Sequence, residues 1–105
     1  MLVINGEVWN IQYVDRNSNY LRRSDGSFTP GVCNISTHTI YIFDELQGDF
    51  LKKVLTHEIC HCSMASYKIY VPLETEELIC DFLATYGEEV IGIADLFFNT
   101  ISNVL

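Results

Sequence analysis

A chain of 105 residues, 49% of them hydrophobic, has apolar material for one compact core and little for a second, so a single domain spanning 1–105 is expected and disorder is excluded. Fourteen acidic residues against six basic ones leave a formal charge of −8, a surface that repels phosphate backbones and argues against direct nucleic-acid binding. No run approaches the roughly 18 consecutive apolar residues of a membrane span. Met1-Leu2-Val3-Ile4, followed by Asn5-Gly6, lacks the basic region and long apolar stretch of a signal peptide, so a cytoplasmic protein without a membrane partner is expected.

In chain order, Leu2-Val3-Ile4 and Glu7 to Val14 flank Asn5-Gly6, a dipeptide suited to the positive φ angles of a two-residue hairpin turn. Trp9, Ile11 and Tyr13 alternate with Asn10 and Gln12, which places one apolar face on the core. A polar loop over 15–19, a short strand around Tyr20 to Arg22 and a turn at Ser24-Asp25-Gly26-Ser27 come next. Phe28 to Asn34, carrying Pro30, reads as extended chain near a sheet edge, because proline cannot donate to an interior ladder. Thr39-Ile40-Tyr41-Ile42-Phe43 is a dense β-branched and aromatic run, a buried strand that pairs with it.

Asp44 is placed to cap the following helix, with Gln47 completing a capping box, and that helix runs to about Ala65. Gly48 weakens its first turn by about 1 kcal/mol relative to alanine, which implies a close packing contact or a later start. Ser66 to Leu73, with Pro72, is a loop; Thr75-Glu76-Glu77 opens a second helix to Tyr86, where Gly87 stops or bends it. A last helix from Glu88 to about Ser102 carries Val90, Ile91, Ala94, Phe97, Phe98 and Ile101, the profile of a packing helix. The expected class is α+β, a small twisted N-terminal sheet of about three to five strands packed on a helix and followed by C-terminal helices.

The chemistry concentrates in His57-Glu58-Ile59-Cys60-His61. On a helix, residues four apart advance about 400°, so both imidazoles leave one face a turn apart and make a bidentate metal clamp. Zinc suits this pair, and a catalytic zinc takes three protein ligands with one position left to water. Glu58, about 100° round from His57, can reach beside that water as general base without being a ligand. Phe50, Val54 and Met64 fall near the histidine face, while Leu51, Leu55, Ile59 and Cys62 form a separate apolar stripe; one packs on a sheet and the other lines a cleft.

A third ligand is expected from the downstream acidic helix. Glu77 and Asp81 stand at i and i+4, so Glu77 can bind zinc while Asp81 reaches a ligating imidazole and raises its basicity. Glu76 is the rival ligand, and an acidic first turn that merely complements the helix dipole is the reading without a metal. Cys33, Cys60, Cys62 and Cys80 have no C-x-x-C spacing and are expected to be buried free thiols, with Cys60 lying about 60° from His57 on the helical wheel. Tyr67, Tyr70, Tyr86 and His38 are candidate oxyanion donors by residue type only, and none is assigned.

The His57-Glu58-x-x-His61 motif resembles the HExxH signature of zincin metallopeptidases. With Glu77 and Asp81 downstream, the chain resembles the gluzincins, in which the glutamate is the third ligand and the aspartate supports the first histidine. Gly31-Val32-Cys33-Asn34, Thr39-Ile40-Tyr41-Ile42, Val54-Leu55-Thr56 and Phe82-Leu83-Ala84 further resemble the ImmA/IrrE-like metallopeptidases of phages and mobile elements, over roughly residues 28 to 86. The resemblance implies zinc-assisted peptide hydrolysis with Glu58 as general base, an extended substrate paired on the Phe28 to Asn34 edge, and, by analogy, a phage or element regulatory protein as substrate. Members often carry a helix-turn-helix or sensor domain for which this chain has no room, so a minimal peptidase is expected. Two other classes fit the same residues. A zinc-stabilised binding module would keep the ligands without turnover, and a metal-free structural or regulatory protein would melt identically in chelator.

Overall fold

Four strands and two long helices make up the computed structural model, which describes residues 1–104. β1 (Leu2–Ile4) and β2 (Glu7–Val14) form the hairpin, with Asn5 at φ 49° and Gly6 at φ 76°, the left-handed pair that a two-residue turn requires. β3 (Gly31–Asn34) and β4 (Thr39–Phe43) form a second antiparallel pair. β4 lies parallel to β2, so the sheet order is β1-β2-β4-β3 and β3 is left at an edge. The α+β class is as expected.

β4 is covered on both faces, which explains its unbroken run of β-branched and aromatic residues. Ile40 and Ile42 are fully buried with Trp9, Val54 and Cys62, against the side of α1 (Gly48–Ser66) that carries Leu51, Leu55 and Ile59. Tyr41 points to the other face and stacks on Tyr20 at 4.0 Å between ring centroids. Tyr20 belongs to a 3-10 turn, Asn19–Leu21, where a strand was expected; Ser18 caps it through Oγ, and only Arg22 and Phe28 bridge in β fashion. The alternation of β2 also runs out early. Trp9 is buried, but Tyr13 is exposed.

Asp44 and Gln47 form no capping box. The helix starts at Gly48, whose φ of 61° no β-carbon contact explains, so the glycine marks a late entry into the helix rather than a packing contact. At the other end, Trp9 Nε1 donates to Ser66 Oγ at 2.8 Å and Asn5 Nδ2 donates to the Ser66 carbonyl at 2.9 Å, fastening the end of α1 to the hairpin. The largest difference lies beyond Pro72. A single helix, α2 (Leu73–Val104), runs straight through Gly87, where a break into two helices was expected. The glycine has ordinary helical backbone, and a Cβ there would meet only the flexible end of Leu83. No described helix is long and apolar enough to cross a membrane.

Candidate metal centre

α1 crosses behind β3 and presents His57 and His61 to the first turns of α2. Their Nε2 atoms stand 3.2 Å apart. Glu77 closes the group, with one carboxylate oxygen 2.8 Å from His61 Nε2 and the other 3.4 Å from His57 Nε2. His57, His61 and Glu77 are thus brought within 4.8 Å of one another and could hold a metal ion.

The outer nitrogens are occupied separately. His57 Nδ1 lies 2.9 Å from an Asp81 carboxylate oxygen, and His61 Nδ1 shares a 2.6 Å hydrogen bond with Glu76. A carboxylate thus stands at each Nδ1 and positions the ring with Nε2 turned toward Glu77. Two imidazole nitrogens and a carboxylate thus converge on one point, a donor set able to hold a metal ion. Nitrogen and oxygen ligands at about 2.0–2.2 Å round a tetrahedral ion lie roughly 3.3–3.6 Å from each other; the two imidazole nitrogens stand close to that span at 3.2 Å, and the two Glu77 oxygens lie one on each histidine.

Glu58 turns from the same helix toward β3, where it is buried to 8% exposure. Burial raises its carboxyl above the usual glutamate range; His57 and His61 pull it back down, Glu77 pushes it up, and a backbone hydrogen bond from Cys33 lowers it slightly. Gly31 makes this position available. A Cβ at 31 would stand 3.3 Å from a Glu58 oxygen, 3.1 Å from its Cγ and 2.7 Å from Val54 Cγ1, so the strand can lie on the helix only as glycine. The clustered groups open into a cleft of about 530 Å³, bordered by Thr29, Pro30 and Gly31 on one side and by Glu77, Asp81 and Ala84 on the other.

Spacing along the helix pointed to Glu77 and Asp81, and the structure brings both to the histidines, with Asp81 on His57. Glu76, weighed as a rival ligand, instead faces the far side of His61. Its position on the same turn as Glu77 could not separate those roles, which depend on how α2 is rotated against α1. Phe50 and Val54 line the cleft as their helix face implied, Val54 reaching the main core as well, whereas Met64 packs with Cys60 and Cys80 beneath the site. Cys60 accordingly packs with Met64 and Cys80 in that buried cluster. Cys33 is only part-buried, with its sulfur 3.0 Å from that of Cys62; all four cysteines are free.

None of the tyrosines considered as oxyanion donors lines the cleft, and His38 stacks on Trp9 with its Nδ1 on the Val8 carbonyl. Arg23, Thr29 and Lys53 are the donors that do line it. They come from three separate stretches with no shared motif, so sequence reasoning had no signal for them. No protein-family model, curated protein or solved structure matches this chain. What the fold and site define is an α+β domain with a His-His-Glu group able to hold a metal ion.

Proposed function

We propose that this chain is a zinc-dependent peptidase acting in the cytoplasm on an extended peptide segment. The observation that carries the reading is the convergence of His57 Nε2, His61 Nε2 and Glu77 on one point, with the buried, non-ligating Glu58 beside it at the base of a cleft. A structural zinc site is usually closed by four protein ligands, whereas three with a neighbouring carboxylate suit turnover. A zinc ion held by His57, His61 and Glu77 would supply Lewis acidity, able to polarise a peptide carbonyl and to make bound water acidic near neutral pH. Glu58 takes the proton of the attacking water and returns it to the leaving amine, and burial, by raising its carboxyl, makes the carboxylate the stronger proton acceptor. Asp81 and Glu76 hold the imidazoles in register. The free edge of β3 offers backbone groups to an extended substrate.

Resemblance to the ImmA/IrrE-like group suggests a phage or mobile-element regulatory protein as substrate. The test begins with metal content. Protein purified without added metal or a histidine tag should carry about one zinc per chain, lost in His57→Ala. Glu58→Gln should retain zinc and lose peptidase activity; wild-type turnover by that variant removes Glu58 from the mechanism. Absence of zinc, with none taken up on addition, sinks the reading as a whole.

A further inference from the structure

The second half of α2 is out of place on a solitary chain. Its first half lies on α1 through Glu76, Cys80, Ala84 and Gly87, and beside this contact Lys52 pairs with Glu88. From Glu88 to Asn103 every side chain is exposed, although Val90, Ile91, Ile93, Leu96, Phe97, Phe98 and Ile101 are among them. A helical arm of this length, projecting without a partner, is marginal in water, and a helix with so much exposed apolar surface normally has that surface covered.

The pattern specifies what covers it. Ile79, Leu83, Tyr86, Val90, Ile93 and Phe97 follow one another at spacings of four, three, four, three and four, the repeat of a coiled-coil seam. All six are at least 40% exposed. The seam is rotated about 100° from the stripe that meets α1, so a second helix can reach it without displacing the first. Beside the seam stand Phe82, Gly87, Ala94, Leu96 and Ile101, with Glu89 the one charge among these flanking positions.

We propose that this seam binds the same seam of a second copy, making a dimer held by α2 against α2. Covering the six seam residues with Phe82, Leu96 and Ile101 removes on the order of 800 Å² from each copy, comparable to the area per partner in a stable complex. A charge-selected heterologous helix would meet flanking charges able to choose it, and this seam has almost none. No lysine or arginine follows Lys68, so the two copies repel weakly through their acidic surfaces and salt tightens the dimer. A basic partner would show the opposite salt dependence. The proposal is independent of the metal site.

Sedimentation equilibrium of the full chain tests it, with Ile93→Glu on the seam and Ile91→Glu off it. Both positions lie on the exposed arm and outside the buried core, so the sheet and α1 should stay folded in each variant, as read by a cooperative urea transition. The wild type is expected at twice the 12.0 kDa chain mass at tens of micromolar, more completely at higher salt. Ile91→Glu should remain dimeric and Ile93→Glu should be monomeric. A wild-type monomer throughout the concentration range overturns the proposal, including one that cosediments with phosphatidylcholine vesicles. Equal dissociation by the two variants, or assembly beyond a dimer, overturns it as well.

Discussion

Each histidine of the cluster is held at Nδ1 by a different carboxylate, and the two carboxylates sit in different surroundings. The Glu76 side chain is 20% exposed, against 68% for Asp81, so solvent screens the Asp81 to His57 contact far more. Removing an outer carboxylate costs about 10–100-fold in metal affinity. Glu76→Ala should therefore approach the upper end of that range and Asp81→Ala the lower, as read by zinc competition with a chromophoric chelator. Equal losses would mean that burial does not set the strength of these contacts. For Glu58→Gln the metal should stay while turnover falls by about 10²–10⁴-fold, the usual contribution of a general base.

Between elements, two contacts fix where the histidine-bearing helix sits. Gly31 allows β3 to lie on Val54 and Glu58, and a methyl group there has a 2.7 Å contact to relieve. Gly31→Ala should cost about 1–3 kcal/mol in urea unfolding, typical of overpacking. It should depress peptidase activity further than zinc affinity, because Glu58 shifts while the ligands on the far side do not. At the other end, Ser66→Ala leaves the buried Trp9 indole without its acceptor. A loss of about 1–3 kcal/mol is expected, the cost of an unsatisfied buried donor. An unchanged unfolding midpoint would show that water replaces the hydroxyl.

At the scale of the whole molecule, an ion held by His57, His61 and Glu77 would be linked to the fold. Because the three ligands meet only in the folded chain, occupancy of the site should stabilise the native state by mass action, about 2.7 kcal/mol at a ligand concentration one hundred times Kd. For a domain of this size that corresponds to a Tm higher by on the order of 10 °C. Wild type and Glu58→Gln should both gain this increment in zinc over chelator, because Glu58 is not a ligand; His57→Ala should not. Identical melting of wild type in zinc and in chelator would favour the metal-free structural class.

Local chemistry made much of this legible from residues alone. The Asn5-Gly6 hairpin, the doubly covered β4 and the histidine helix follow from turn propensity, β-branching and helical periodicity, which act within a few residues. The same periodicity singled out Glu77 and Asp81, since i and i+4 share a face wherever the helix packs. The tertiary structure alone decided the rest. The rotation of α2 on α1 separates Glu76 from Glu77, the approach of β3 gives Gly31 its purpose, and Arg23, Thr29 and Lys53 meet only across the cleft. Gly87 shows the limit most plainly. Its propensity argues for a break, yet the helix continues, because about 1 kcal/mol of local cost is small beside the hydrogen bonds of a 32-residue helix. The expected packing of the last segment also fails within one chain. Its apolar residues face outward, and only the three-dimensional arrangement shows that their seam lies clear of α1.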